Sequence, residues 1–155
     1  MDDPARSVVV RPATSADQDS LIGLYADFFA EDGIDVPRGR IAANLAKMLA
    51  DPRAMILVAD GPDGIVGLAS ASTTYGVEFG CAAEFEDLYV IPTCRGQGLS
   101  HVLVDAMIVW ADSQNAEVMA LVITAQAERD QTLTRFYSRH GFEVTDRITM
   151  YRART

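Results

Sequence analysis

The sequence predicts an α/β protein with a mixed, mostly antiparallel twisted sheet of about six to seven strands flanked by four helices. Runs with apolar residues at helical spacing alternate along the chain with short β-rich runs. A turn with glycine at both ends divides one apolar stretch into a hairpin, and another apolar run suits a strand buried on both faces. The length of 155 residues predicts a single domain over residues 1–155.

The first half of the chain is expected to form a strand, two helices and a hairpin. SVVVR, residues 7–11, is typical of a strand, and Ser15 with Gln18 has the spacing of a helix capping box. A second amphipathic helix, residues 41–49, should stop at Asp51-Pro52. AMILVAD and IVGLASASTTY then form the hairpin around a turn at residues 61–64. Helical spacing marks the first helix at Leu21, Leu24, Tyr25 and Phe28.

The second half is expected to add strands, a long helix and a short helix. A loop over residues 76–82 leads to the strand EFEDLYVI, and the long helix begins after Gly98. The run EVMALVIT follows as the buried strand, and Asp130 can cap a short helix that ends at Gly141. Residues 142–144 and 148–152 should be closing strands. One side of the long helix carries Leu99, Val102, Leu103, Ala106 and Trp110, and the short helix carries Leu133, Phe136 and Tyr137.

Composition excludes several classes of function. Asp and Glu number 22 against 13 Lys and Arg, so the net charge is −9, which argues against nucleic-acid or anionic-membrane partners and suits a cationic ligand. Two cysteines make neither a disulfide framework nor a zinc site, and we expect no metal. The start MDDPARSVVV lacks a signal-peptide pattern, and no apolar run is long enough to span a membrane. We therefore expect a soluble cytoplasmic protein.

The stretch YVIPTCRGQGLS, residues 89–100, hands a strand over to a helix through two glycines. Unpaired N–H groups at a helix N-terminus attract anions, and glycine lets a phosphate approach the backbone closely. The stretch therefore suits a phosphate cradle, with Arg95 adding charge; a plain strand-to-helix turn is the alternative interpretation of these residues alone. It is neither a dinucleotide fingerprint, because a third glycine is missing, nor a P-loop, because no lysine follows.

Several blocks together resemble the GNAT N-acetyltransferases. Their acetyl-CoA signature is (Gln or Arg)-x-x-Gly-x-(Gly or Ala), and the chain departs from it only at Ser100. EDLYVIPTC is similar to the fourth strand of that family, RFYSRHGFEV to its later motif and VVVRPATSAD to its start. Asp130 stands where many members have Asn, and Leu133 where Ala is frequent. The signature itself matches Arg95, Gly96, Gln97, Gly98, Leu99 and Ser100.

The resemblance implies direct acetyl transfer from acetyl-CoA to an amine in a ternary complex. Arg95 to Ser100 would hold the pyrophosphate. The splayed fourth strand would hold the pantetheine arm at Leu88, Tyr89 and Val90, and a backbone N–H there would polarise the thioester carbonyl. Asp130 and Phe136 complete the cofactor residues implied by the match. The family leaves a homodimer open.

The same resemblance assigns the proton transfers. Tyr137 matches the general acid that protonates the leaving thiolate. FEDLYV is similar to the polyamine and thialysine acetyltransferase branch, so Glu86 is the expected base, directly or through a water, with Asp87 as neighbour or substrate contact and Glu84 in reserve. Regular alternation would put Glu84, Glu86, Leu88 and Val90 on one strand face, and Phe85, Asp87 and Tyr89 on the other. Alternatively, these acids merely solvate the end of the sheet.

The acceptor is expected to be a cationic small-molecule amine. In the family, the segment between the first two helices borders the acceptor site, and here it carries Glu31 and Asp32, with Tyr75 after the third strand. Such an acidic mouth would attract a cation. Two other readings stay open: a protein or peptide N-acetyltransferase, and a catalytically silent acetyl-CoA-binding module.

Overall fold

A computed structural model describes residues 7–154. Its strands are β1 (Val9–Pro12), β2 (Ala54–Gly61), β3 (Gly64–Gly76), β4 (Gly80–Val90) and β5 (Val118–Leu121). Its helices are α1 (Gln18–Glu31), α2 (Arg38–Ala50), α3 (Leu99–Ser113), α4 (Ala125–Gln131) and α5 (Leu133–Ser138). The α/β class expected from the alternating patterns is therefore confirmed.

The five strands form one sheet in the order β1-β2-β3-β4-β5. The first four pair antiparallel, as short connections dictate, and β5 joins β4 in parallel after the crossover through α3. Pairing between β4 and β5 covers only Ala82 to Phe85 on β4, opposite Val118 to Leu121. Beyond Phe85 the two strands separate, and the candidate active site lies in the gap between them.

Two apolar clusters cover the two faces of the sheet. On one face, α1 and α2 pack against the sheet through a cluster that includes Leu21, Leu45, Leu68 and Tyr89. On the other face, α3 packs through Leu103 and Met107. Leu21, Leu68 and Leu103 have no exposed surface, so the helices are held by well-buried aliphatic side chains.

Local differences from the sequence prediction have identifiable causes. The first helical turn is capped by Thr14 and Asp17 instead of Ser15 and Gln18, because a 3₁₀ turn precedes α1. Arg11 donates two hydrogen bonds, of 2.8 and 2.9 Å, to the Asp17 carboxylate and holds that turn against β1. A capping box of Thr14 and Asp17, held by Arg11, therefore stands where the spacing predicted a cap by Ser15 and Gln18.

The region after β5 also differs from the prediction. Asp130 does not cap a helix, since it lies inside α4, and the left-handed residue Thr132 (φ 48°) separates α4 from α5. Two short helices therefore stand where one was expected. Likewise, β4 begins at Gly80, so the loop expected over residues 76–82 is shorter.

The sheet has fewer strands than expected. The closing strands predicted over residues 142–144 and 148–152 are not strands within residues 7–154, because no ladder there gives them a partner. Val144, Ile148 and Met150 are more than four-fifths exposed. β5 is only half buried, contrary to the prediction of a strand buried on both faces, since it lies at the sheet edge. None of the described helices is long and apolar enough to cross a membrane.

Candidate active site

A β-bulge in β4 sets the positions of the acidic residues. Ser70 of β3 faces Asp87, while the next residue, Ala71, faces Phe85, so Glu86 is an extra residue in the ladder. The bulge puts Glu86 and Asp87 on the same face, whereas regular alternation predicted opposite faces. Their partners are two residues apart on β3: Ser70 donates to Asp87 (2.6 Å) and Ser72 donates to Glu86 (3.0 Å).

The bulge also decides on which face of the sheet the other side chains of β4 lie. Phe85, Leu88 and Val90 pack on the α3 face, while Tyr89 packs among α1 and α2. The prediction that Phe85 shares a face with Asp87 and Tyr89 is thus wrong, because the extra residue resets the alternation. The same shift separates Leu88 and Val90 from Glu86.

A cleft of about 960 Å³ opens where β4 and β5 separate. Beyond Phe85, the edge of β4 that faces β5 has no strand partner among the described residues. Leu88, Tyr89 and Val90 line the cleft together with the end of β5 and with α3, α4 and α5. An extended chain with amide groups could therefore bond to this strand edge.

The turn between β4 and α3 has the backbone geometry of an anion cradle. Gly96 and Gly98 have φ values of 77° and 80°, which favour glycine, and Gly98 is the N-cap of α3. A Cβ at either position would meet no atom within 4 Å, so the space beside the turn is open. The first N–H groups of α3 have no intrahelical acceptor. Leu99 is buried in the core and Ser100 lines the cleft.

Arg95 is turned away from the cradle towards α1. Its guanidinium forms an ion pair with Glu31 (2.8 Å), its Nε donates to the Val90 carbonyl oxygen (2.8 Å), and it lies over the Tyr89 ring. This pairing lowers the pKa of Glu31, chiefly through the hydrogen bond from Arg95. Asp32 has a raised pKa, because of burial and then the charge of Glu31. Both acids line the cleft, where α1 ends.

Asp87 is the most enclosed acid of the cleft. Its Oδ2 accepts hydrogen bonds from the hydroxyls of Tyr25 (3.1 Å) and Ser70 (2.6 Å), which come from α1 and β3. Burial raises the pKa of Asp87, and the two hydroxyls partly offset that rise. The neighbouring Glu86 is more exposed, and its pKa is also raised, first by burial and then by the charges of Asp87 and Glu84.

Tyr137 lines the cleft from α5. Burial, followed by the negative charge of Asp87, raises its pKa to about 12. The phenol therefore carries its proton at neutral pH. Its ring packs edge-on against Phe136 and Phe142, with centroids 5.0 and 5.7 Å away, which limits its orientations.

A histidine pair joins the end of α5 to α3. The Nδ1 of His101 lies 2.8 Å from Nε2 of His140, and Nδ1 of His140 lies 2.9 Å from Oδ1 of Asp105. Phe136 stacks beside His101 with centroids 4.7 Å apart. The segment that carries Tyr137 is thereby fixed to the helix that begins at the cradle.

Not every residue predicted for the site reaches the cleft. Tyr75 is 80% exposed near the end of β3, and Glu84 is exposed on β4; neither lines the cleft. Gly96, Gln97 and Gly98 lie on the turn beside it. The predicted residues that the fold brings together are Glu86, Asp87, Leu88, Tyr89, Val90, Arg95, Ser100, Asp130, Phe136, Tyr137, Glu31 and Asp32.

Sequence reasoning missed Tyr25 and Ser70. Helical spacing places Tyr25 in an apolar stripe, and nothing in the strand run IVGLASASTTY singles out Ser70. The register of β3 and β4 brings Ser70 to Asp87, and the packing of α1 on the sheet brings Tyr25 to it. Within residues 7–154, no group of three or more His, Cys, Asp or Glu residues could hold a metal ion.

Comparisons with known proteins give matches to one family. Residues 52–144 match the family described as "Acetyltransferase (GNAT) domain". The chain is 33% identical over 109 residues to the aminoglycoside N(6')-acetyltransferase type 1 of Klebsiella aerogenes, a match that covers 68% of this chain and 71% of the relative.

Solved structures share the fold at lower identity. The aminoglycoside N-acetyltransferase AAC(6')-Iy in complex with CoA is 20% identical, with a TM-score of 0.80 and coverage of 96% of this chain and 95% of that one. A predicted acetyltransferase from Clostridium acetobutylicum with acetyl-CoA is 18% identical, with a TM-score of 0.78 and coverage of 94% and 96%. These likenesses establish the fold.

Proposed function

This chain belongs to the GNAT acetyltransferase family, and on that premise we propose that it acetylates a primary amine of a cationic small molecule. It is an acetyl-CoA-dependent N-acetyltransferase, so the acetyl donor is acetyl-CoA. One observation supports the choice of acceptor: the β4 bulge puts two carboxylates, Glu86 and Asp87, on a cleft that Tyr137 also lines.

The donor would occupy the apolar, backbone-lined part of the cleft. Gly96 to Ser100 would receive the pyrophosphate on N–H groups, and the free edge of β4 at Leu88 to Val90 would bond the pantetheine amides. A backbone N–H on that edge would also polarise the thioester carbonyl. Arg95 would reach the phosphates only after leaving Glu31, so the backbone is the principal anion site of this cradle.

The acceptor would enter on the acidic side. Asp32, Glu86 and Asp87 line that side, while Glu31 is already neutralised by Arg95. Because attraction acts on the whole cation, a second positive charge on the acceptor should strengthen binding. The aminoglycoside acetyltransferase relative acts on polycations of this kind, which makes aminoglycosides the first acceptors to test.

The same cleft residues would also supply both proton transfers. An alkylamine with a pKa of ~10.4 is about 0.04% neutral at pH 7, so removal of its proton assists attack. Glu86 would take that proton, directly or through a water, as the amine nitrogen bonds to the acetyl carbon. The carbon–sulfur bond then breaks, and Tyr137 would donate its phenol proton to the departing thiolate.

A CoA-release assay tests the proposal. The purified chain is offered acetyl-CoA with neamine, spermidine, lysine, a peptide with a free N-terminus or a neutral arylamine. We expect the highest kcat/KM for a small polyamine or an aminoglycoside. Release of CoA only with peptides would move the acceptor to the protein class, and acetyl-CoA binding with no turnover on any amine would leave a silent module.

A further inference from the structure

We propose that Tyr25 and Ser70 are positioning residues that hold the Asp87 carboxylate so that its Oδ1 faces the cleft and binds the ammonium group of the acceptor. The inference rests on the proposed function and adds the atom that receives the acceptor's charge. Two buried hydroxyls from different elements carry it, because both donate to the same oxygen of one acid.

Both hydroxyls lie in the core, where an idle polar group is unfavourable. Tyr25 is 4% exposed and Ser70 is 1% exposed, and the neighbours of Ser70 on β3, Ala69 and Ala71, are buried as well. A buried hydroxyl without a partner would destabilise the fold, and Asp87 is the partner of both. Burial followed by the charge of Asp87 raises the pKa of Tyr25 well above its usual value, so the phenol remains a donor.

The geometry leaves one oxygen for a ligand. Oδ2 takes both hydrogen bonds, while no buried side-chain oxygen or nitrogen among the described residues lacks a partner. Oδ1 is therefore reached by solvent, and Asp87 lines the cleft. Because Oδ2 accepts two hydrogen bonds, the carboxylate cannot rotate freely, and Oδ1 stays oriented towards the cleft.

Asp87 has no cationic partner among the described residues that face it. Tyr25 on α1, Ser70 on β3, Glu86 on β4 and Tyr137 on α5 face it, and none of them is positively charged. An ammonium at Oδ1 would lie next to Glu86, which can take its proton, and on the same cleft as Tyr137. It would also reduce the negative field that opposes ionisation of Tyr137.

The test combines carboxyl carbon-13 NMR with kinetics, using neamine as the probe. In the wild-type protein, saturating neamine should shift the Asp87 Cγ resonance. Tyr25→Phe and Ser70→Ala should each raise the midpoint of the Asp87 titration by roughly 1 pH unit, because a lost hydroxyl donor disfavours the carboxylate. The acid limb of kcat/KM for neamine should move to higher pH with it, and KM should rise more than kcat falls.

Thr73→Ala is the matched control, because the Thr73 hydroxyl on the same strand bonds only the Arg53 carbonyl oxygen. It should leave the titration and the pH profile unchanged. An Asp87 resonance that ignores neamine, or variants with unaltered titration, would overturn the proposal even if turnover is normal. Conversely, a neamine-dependent Asp87 shift without CoA release would keep the subsite and reject the acetyltransferase assignment for this acceptor.

Discussion

The two halves of the cleft present different chemistry, which suits the proposed binding of opposite charges. The donor half presents main-chain N–H groups from a glycine turn and from the free edge of β4, with apolar side chains of α3 beneath. The acceptor half presents side-chain carboxylates, held by hydroxyls from α1 and β3. A main-chain site is indifferent to most substitutions that preserve backbone shape, whereas a carboxylate site depends on each group and its pKa.

Tyr137 lies where the halves meet, and its loss should have the largest effect. Tyr137→Phe keeps the ring contacts with Phe136 and Phe142 and removes only the phenol proton. General acid catalysis is worth ~10²–10⁴-fold, so kcat should fall by that factor while the acetyl-CoA Kd stays the same. Stopped-flow turnover and calorimetry measure the two quantities, and full activity in this variant would remove the general-acid role.

The donor half should be sensitive to backbone shape and local charge. Gly98→Asp combines a left-handed φ of 80° with a carboxylate beside the expected pyrophosphate, so acetyl-CoA affinity should weaken ~10–100-fold. Gly39→Asp is the control, since Gly39 also has open space around it but lies in α2 away from the cradle. Unchanged calorimetric affinity in folded Gly98→Asp would disprove the cradle.

The acceptor half should be sensitive to proton supply. Glu86→Gln should reduce kcat/KM for the amine about tenfold at neutral pH, a modest loss because a water can take the proton. Its raised pKa means that Glu86 becomes an effective base only above that value, so wild-type activity should fall as pH drops through it. The deficit of the variant should shrink at high pH, where free amine is abundant. A loss equal at every pH would instead indicate that Glu86 positions the acceptor.

Added salt should have the smallest effect, and it should act on the acceptor half alone. Exposed attraction is screened over ~8–10 Å at physiological ionic strength, so added salt should raise KM for a diamine roughly two- to fivefold and change kcat little. Benzylamine, with a single charge, should respond less. A neutral arylamine that proves the best acceptor would contradict the acidic mouth as the basis of recognition.

The two halves also differ in how far sequence alone could predict them. The cradle is contiguous, so its glycines, its helix start and its neighbouring strand could be recognised together in residues 89–100. The carboxylate site joins Tyr25, Ser70 and Asp87, which are up to 62 positions apart. Their meeting depends on pairing register, on the packing of α1 and on an unpredictable bulge, and regular alternation wrongly separated Glu86 from Asp87. The closing strands failed for a related reason, since strand character requires a partner that periodicity does not supply.

The bulge at Glu86 adds one residue to β4 and so changes which side chains share a face. In an uninterrupted strand, odd and even positions never share a face, so two consecutive acids cannot lie on the same face of the sheet, whatever the sequence. In β4, one residue more than in the neighbouring stretch of β3 puts Glu86 and Asp87 on the same face, which no substitution could achieve. Grafting this acid pair onto another antiparallel sheet would therefore require an insertion, and deleting Glu86 would restore a regular ladder in which Asp87 follows Phe85 directly.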